Sequence, residues 1–460
     1  MTSSWALNLD HLSSILSLDA STGLVTVQAG IRLFQLSAAL ATHGLALPNL
    51  GSIDQQSLAG ALATGTHGST LQHGTLAANV RALKLMLSNG SEVSCSLTTN
   101  PELFAAALVS LGALGVLTEV TFQAVPEFRI CWRQAILPLD EVLVRWEAGS
   151  LWSAAEFVRV WWLPYTRRAI LWQADKTSLP LQAPPKSWYG SALGRGLYQS
   201  LLWVANYIPA LLPRVEQLVF GLQYGFSSGA TGSAVEPGRT GLLMDCLYSQ
   251  FVNEWAIPLS RGPEAIRRLS AWLNREPEAA HRIPVPILAD TYVHAPIEVR
   301  VSRTHTGCHR GLLDASCATE DTLYLNATLY RPFGADPPGR KRYYEAFEWL
   351  MADLGGRPHW AKNFVTPDRE FFERAYGKDL LRWRAVRREV DPLGMFTGEY
   401  HRRYLLGQDE VVDGERNGSR VLDAEILGEE PRRDGENGEV DLVSATSEES
   451  FDLMAKAEAE

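Results

Sequence analysis

The chain has 460 residues, 46% of them hydrophobic, and 52 acidic against 42 basic side chains give a formal net charge of -10. That length can bury a large core and predicts two or three domains, while the acidic balance excludes a polyanion as general partner and no nucleic-acid module is present. The five cysteines, Cys95, Cys131, Cys246, Cys308 and Cys317, are scattered without C-x-x-C spacing, which excludes a disulfide framework and a zinc site and predicts a reducing compartment.

The opening M-T-S-S-W-A-L-N-L-D-H contains no recognisable export or transit signal. Trp5 to Leu9 and Leu24 to Val27 alternate apolar and polar residues and read as strands, and Leu33 to His43 repeats its apolar positions at helical spacing. Next comes L-G-S-I-D-Q-Q-S-L-A-G-A-L-A-T-G-T-H-G-S-T, residues 50–70. Its glycines Gly51, Gly60, Gly65 and Gly68 are interleaved with the hydroxyls of Ser52, Ser57, Thr64, Thr66 and Ser69. Glycine admits positive φ and lets backbone approach a ligand closely, so this run is a candidate cofactor cradle. Small residues also let a helix pack tightly on a sheet, and for the run taken alone both readings stand.

Val80 to Leu87 and Glu92 to Ser96 read as a hairpin turned at Asn89-Gly90. Pro101-Glu102 opens a short helix ending near Gly112, and L-G-A-L-G-V-L-T-E-V-T-F, residues 111–122, leads through a second glycine turn into a strand. These elements make an α+β domain on a mixed sheet, without the Gly-x-Gly-x-x-Gly turn of a nicotinamide-binding domain. From Phe128 the character shifts to aromatic and aliphatic strands, as in Trp152 to Tyr165, for which ordinary core packing is the main reading.

Leu197 to Pro213, bracketed by Arg195 and Arg214, is short for a membrane span, and Gln199, Asn206 and Pro209 would be costly in lipid. It reads as an interfacial helix carrying Tyr198, Trp203 and Tyr207, or as a buried helix or loop. Gly225 to Gly238 reads as a mobile loop. Met244 to Pro258 reads as a strand entering the helix Pro263 to Asn274, with Glu254 either a site carboxylate or a structural glutamate. In Ile297 to Ser302 the period of two puts Glu298, Arg300 and Ser302 on one face, which is either solvated or lines a cavity. Leu350 to Gly356 ends a helix, Phe371 to Arg388 forms another, and Asp391-Pro392-Leu393-Gly394-Met395-Phe396 turns into Tyr400. Beyond Leu406 the acidic, Gly- and Ser-rich composition predicts disorder.

The two glycine runs, Pro296-Ile297-Glu298-Val299-Arg300, and Arg357-Pro358-His359-Trp360-Ala361-Lys362-Asn363 together resemble the sugar-lactone oxidases of the vanillyl-alcohol oxidase superfamily. The resemblance covers most of Trp5 to Leu406, and His-Trp-x-Lys is its most specific motif. It implies a two-domain FAD-linked oxidase fold: a FAD-binding domain over residues 1–126, an antiparallel-sheet cap over 127–355, a return to the FAD domain over 356–406, and an acidic tail over 407–460. It implies FAD as cofactor, held by Gly51, Ser52, Gly60, Gly65, Thr66, His67, Gly68, Ser69, Gly115 and Val116, with no metal. It also implies Glu298, Arg300 and Lys362 as catalytic residues, with His359 and Glu254 beside them. The family has an upstream turn reading roughly Gly-x-Gly-His-Ser that wraps the FAD pyrophosphate and in some members bonds the flavin covalently. This sequence begins just after that point, so an N-terminally truncated FAD domain is expected, and covalent attachment is not assignable.

The implied reaction is oxidation of a sugar 1,4-lactone at C2 with O2 as acceptor. Negative charge then develops on the C2 oxygen as hydride leaves carbon. Arg300 and Lys362 are the fixed cations to meet it, and Glu298 is the group to orient a hydroxyl or accept its proton. A polyol oxidase or lactone dehydrogenase of the same architecture, or a vestigial protein that no longer holds FAD, are the alternatives. The resemblance further implies a mitochondrial membrane, reached peripherally through residues 197–213, with the cytoplasm as the other expectation.

Overall fold

The computed structural model describes residues 7–244, 246–294, 296–304 and 310–407. Trp5, Cys308 and the expected tail lie outside the described residues.

The chain begins with β1 (Ile15–Asp19), β2 (Leu24–Gln28), β3 (Leu45–Ala46), β4 (Val80–Met86), β5 (Glu92–Ser96), β6 (Val116–Gln123) and β7 (Val125–Pro126). Five of these form a sheet in the order β1-β2-β6-β4-β5, and β3 pairs with β7. Every pairing in the five-stranded sheet is antiparallel, where a mixed sheet was expected. The hairpin β4-β5 turns where its chemistry directs: Gly90 takes φ 79°, and the Asn89 side chain accepts the Ser91 N–H at 3.0 Å. The strand expected from Trp5 is not found at residues 7–9. The first strand is instead Ile15–Asp19, a mostly exposed edge whose weak alternation hides it in the sequence.

The second sheet is built from β8 (Arg129–Pro138), β9 (Phe157–Leu163), β10 (Arg168–Thr177), β11 (Gly229–Pro237), β12 (Gln250–Pro258), β13 (Ile297–Ser302), β14 (Thr322–Tyr330) and β15 (Arg357–Pro358). Its order is β11-β8-β10-β9-β13-β14-β12-β15. β11 occupies the segment expected to be a mobile loop. Its Gly, Ser and Ala residues carry little side-chain signal, but the long partner β8 supplies a backbone ladder from Gly229↔Ile136 to Pro237↔Arg129.

Strand alternation gives this sheet two unlike faces. Val158, Val160 and Trp162 of β9, Val299 and Val301 of β13, and Leu323 and Leu325 of β14 face a core closed by the helices Leu139–Glu147, Gly262–Leu273 and Arg340–Asp353. Residues of the other parity, Arg159 and Trp161, Glu298 and Arg300, form the floor of a cavity. Sequence alone foresaw one helix from Phe371 to Arg388, yet the structure breaks it into Arg369–Tyr376 and Lys378–Val390. Gly377, at φ 50°, ends the first helix in a conformation that a helix cannot continue.

The glycine run is sewn to the second sheet. Val158 N–H donates to the Ser69 carbonyl at 3.2 Å, Thr70 N–H to the Val301 carbonyl at 2.9 Å, and Arg303 N–H to the His73 carbonyl at 3.1 Å. The Ser69 hydroxyl adds to the seam, accepting from Val301 N–H at 3.2 Å and donating to the Val158 carbonyl. At its far end the chain returns to the first sheet's neighbourhood, where the His401 ring meets the Leu111 carbonyl at 3.0 Å and Arg382 pairs with Glu102 at 2.9 Å.

Candidate active site

Register places the charged residues side by side. In the β9-β13 ladder Glu298 pairs with Trp161 and Val299 with Val160, so Arg300 projects beside Arg159. Arg300 in turn pairs with Tyr324 of β14, Glu254 of β12 pairs with Asn326, and Trp172 of β10 pairs with Arg159. One sheet face thus carries cations, carboxylates and aromatic rings in adjacent rows, walling a cavity of about 340 Å³.

Glu254 is the hub. Its Oε1 accepts from Arg300 Nη2 at 2.5 Å and lies 3.3 Å from His67 Nε2, while its Oε2 lies 3.9 Å from Lys362 Nζ. Burial alone would raise its carboxyl; the Arg300 charge, with Lys362 adding to it, overrides burial and holds it well below the usual carboxylate range. Arg300 also reaches Glu298 Oε2 from Nε at 3.4 Å and donates from Nη1 to the Ser52 hydroxyl at 3.3 Å. Burial opposes its charge, but Glu254 and Glu298 raise its pKa further and keep it a cation.

Two imidazoles flank this network. His67 stacks on Tyr324 with ring centroids 3.4 Å apart, and its Nδ1 donates to the Gly68 carbonyl at 2.9 Å. Burial, then the Arg300 charge, push His67 down toward its neutral form. His359 accepts Ala361 N–H at Nδ1 at 3.1 Å, so its proton sits on Nε2. Burial pushes it down to about 3. The backbone after it is pinned to β12: His359 N–H donates to the Glu254 carbonyl at 2.8 Å and Asn363 N–H to the Val252 carbonyl at 2.7 Å. That pinning is what brings Lys362 to the cavity mouth.

The structure therefore brings Glu298, Arg300 and Lys362 into one cavity with Glu254, His359, Gly51, Ser52, Thr66 and His67. It does not bring Gly60, Gly65, Gly68, Ser69, Gly115 or Val116 to that wall. Gly60 N–H meets the Ser57 hydroxyl at 3.2 Å in a helix cap, and Gly65 ends the same helix at φ 75°. A Cβ on Gly68 would lie 1.9 Å from Asn49 Oδ1, and one on Gly115 2.7 Å from the Met86 carbonyl. For Gly68 and Gly115 the close approach is to the protein's own chain, Ser69 belongs to the seam, and Val116 opens β6. Sequence reading passed over Arg159, Tyr324 and Asn326. The available signal for Arg159 was its place in V-R-V-W-W, a charge in the middle of an otherwise apolar strand.

Residues 120–404 match the family described as D-arabinono-1,4-lactone oxidase. The chain belongs to this family. Residues 1–96 match the FAD binding domain. Among relatives of the lactone oxidase family, a putative D-arabinono-1,4-lactone oxidase of Neurospora crassa is 50% identical, spanning 88% of this chain and 76% of that protein. The D-arabinono-1,4-lactone oxidase of Yarrowia lipolytica is 40% identical over 86% of this chain and 85% of that protein. Solved structures show the same FAD-linked oxidase fold: cholesterol oxidase from B. sterolicum has a TM-score of 0.66 at 16% identity, covering 86% of this chain and 84% of that one. A xylooligosaccharide oxidase from Myceliophthora thermophila C1, in complex with xylobiose, has a TM-score of 0.57 at 17% identity, covering 85% and 80%.

FAD is the cofactor of this lactone oxidase family member, and the cavity residues fit the ring end of it. Gly51, Ser52 and Thr66 line the cavity together, so backbone and two hydroxyls are available there to a ring system. Arg300 Nε, His67 Nε2 and Glu254 Oε2 are buried without a hydrogen-bond partner, polar atoms that a bound ring system and substrate can engage.

Proposed function

We propose that the chain oxidises a sugar 1,4-lactone at C2, with D-arabinono-1,4-lactone as the substrate and O2 as the final acceptor, reduced to H2O2. The observation that supports this reading is the ion-pair network of Glu254, Arg300, Glu298 and Lys362, with Ser52 and His67 in contact with it, on the wall of one cavity. FAD, when bound, supplies acceptance of the hydride and its onward transfer to O2.

The residues supply electrostatics and orientation. As the C2–H bond gives up hydride and the C2 hydroxyl gives up its proton, charge builds on oxygen before the C2 carbonyl forms. Arg300 is held by Glu254 at 2.5 Å and by Glu298 at 3.4 Å, so its positive charge is in place before the reaction and needs no reorganisation. Lys362, its side chain 30% exposed at the mouth, adds a second cation from the opposite side of Glu254. Glu254 is committed to both cations and balances them. Glu298 has the longer contact to Arg300 and stands on the cavity wall, where it orients a ring hydroxyl or takes its proton. The His359 Nε2 proton offers a neutral donor. The resulting 2-keto lactone tautomerises to an enediol, an ascorbate-type compound.

Anaerobic mixing of the flavin-loaded enzyme with D-arabinono-1,4-lactone should bleach the flavin, and admitting O2 should restore the colour with formation of H2O2. Bleaching by an acyclic polyol and none by the lactone would refute this reading in favour of a polyol oxidase.

Peripheral attachment to a membrane, a mitochondrial one by the family resemblance, is the second part of the proposal. No helix among the described residues is long and apolar enough to cross a membrane. The helix Ala192–Tyr207 nevertheless exposes Leu193 at 76% and Tyr207 at 72%, with Trp203 and Ile208 beside them and Arg195 and Arg214 nearby. Co-sedimentation with anionic phospholipid vesicles, lost on replacing Tyr207 and Ile208 by serine, is the expected outcome; equal recovery of both proteins in the supernatant refutes it.

A further inference from the structure

Among the described residues, Arg159 is a buried guanidinium with no salt bridge to a carboxylate. It is 2% exposed, it lines the cavity, and its one hydrogen bond runs from Nη2 to the Leu242 carbonyl at 2.6 Å. Its carbon Cζ lies 5.7 Å from the centre of the Trp172 ring, which supports one face of the group. Burial pushes it down to about 10, with Glu298 opposing and Arg300 adding to the fall. Of its five N–H donors, one has an acceptor among the described residues.

Placing such a group here is costly in two ways. A buried charge without a partner is disfavoured, and like charges directly across a ladder repel. Arg159 stands beside Arg300, whose two carboxylates are already engaged. Among the described residues the cavity wall carries three cations, Arg159, Arg300 and Lys362, against two carboxylates, Glu254 and Glu298, while burial keeps His67 and His359 neutral. Among the described residues no carboxylate forms a salt bridge with Arg159, which leaves it open to an oxygen acceptor on the ligand.

We propose that Arg159 receives the carbonyl oxygen at C1 of the lactone, so that the ligand's two adjacent oxygens, on C1 and C2, meet the two adjacent guanidiniums, Arg159 and Arg300. This rests on the lactone reading given above. It makes Arg159 a specificity-determining residue: a substrate with a carbonyl next to the reacting carbon satisfies it, whereas a polyol or cyclic ether leaves it with only weak hydroxyl acceptors. The same pair of cations holds both oxygens of the product, whose electron-rich enediol spans C1 to C3.

The test compares two ligands in three proteins. D-Arabinono-1,4-lactone is used as substrate, and 1,4-anhydro-D-arabinitol, the cyclic ether with CH2 in place of the carbonyl, is used as competitive inhibitor. Binding is also read in the absence of turnover from quenching of tryptophan fluorescence, since Trp172 lies against Arg159. In Arg159→Met the Kd and KM for the lactone should rise by about 10- to 100-fold, the scale of one hydrogen bond to a charged group, with the cyclic ether unchanged within about twofold. Arg159→Lys, which keeps the charge but not the fork, should fall between. Equal weakening of both ligands would show a merely structural role and overturn the proposal, as would lactone affinity within about twofold of wild type. If Arg159→Met does not fold, Arg159→Lys takes the same comparison, and an unchanged ratio of the two affinities overturns the proposal there. A wild-type chain that oxidises no lactone would sink the reaction itself, and is told apart by requiring no variant.

Discussion

Replacing Arg300 and Lys362 in turn by methionine separates the energetics of the site from those of the fold. Arg300 is 6% exposed and bonded at 2.5 Å to Glu254, which is itself fully buried. Removing it strands that carboxylate with His67, pushed toward neutrality, and Lys362 at 3.9 Å. Breaking one side of a buried pair costs about 3–5 kcal/mol. Lys362 is 30% exposed and its contact is long, so solvent screens it and its loss should cost less than about 1 kcal/mol of stability. In the proposed chemical step the two are alike: each is placed to meet the charge growing on the C2 oxygen, and the loss of either should slow flavin reduction about a hundredfold. Rapid-mixing measurement of flavin bleaching gives the rate, and urea midpoints give the stability. The expected pattern is a slow, destabilised Arg300→Met and a slow, stable Lys362→Met. An Arg300→Met protein as stable as wild type would show that Glu254 does not depend on this ion pair, and a Lys362→Met protein whose only defect is a raised KM would restrict that lysine to ground-state binding.

Two further outcomes follow from groups outside the cavity mouth. Burial pushes the Glu216 carboxyl up to about 7 from its ordinary 4.5, even though it accepts backbone N–H groups from Tyr165 and Thr166. A group raised on folding contributes stability that is whole below its unfolded pKa and is lost as pH rises through its folded pKa, here on the order of 3 kcal/mol between about pH 4.5 and 7. Glu216→Gln should flatten that part of the pH profile of the urea midpoint, and an unaltered slope would contradict the assignment. Ser69→Ala should cost about 2–5 kcal/mol by thermal unfolding, because Val301 N–H and the Val158 carbonyl both lose the hydroxyl that joins them; a loss below about 0.5 kcal/mol would mean that water replaces it fully.

Local chemistry made parts of this molecule readable in advance. Asn89-Gly90 fixed a hairpin, and the alternation of Ile297 to Ser302 put Glu298 and Arg300 on one face, because both signals act within a few residues. Whether that face met solvent or a cavity depended on β9 and β12, with Glu254 lying 46 residues from Arg300 in sequence, so alternation alone left it open. β11 was hidden for the opposite reason: its small side chains say loop, and only the ladder offered by β8 makes it a strand. Arg159 went unnoticed inside an aromatic run because its meaning comes from Arg300 across the ladder. Glu254, at a strand end near a tryptophan, read more readily as structural than as a site carboxylate, and in the network with Arg300 it belongs to both.

The hydrogen bonds joining Ser69, Thr70 and His73 to Val158, Val301 and Arg303 cross from the glycine run to two strands of the large sheet, and Thr70 and Ser302 form a parallel bridge among them. A boundary laced in this way behaves as a weld: the wall that carries His67 cannot swing away from the floor that carries Arg300 unless backbone pairing is broken. On this geometry turnover has no opening of that wall from that floor to wait for at this seam.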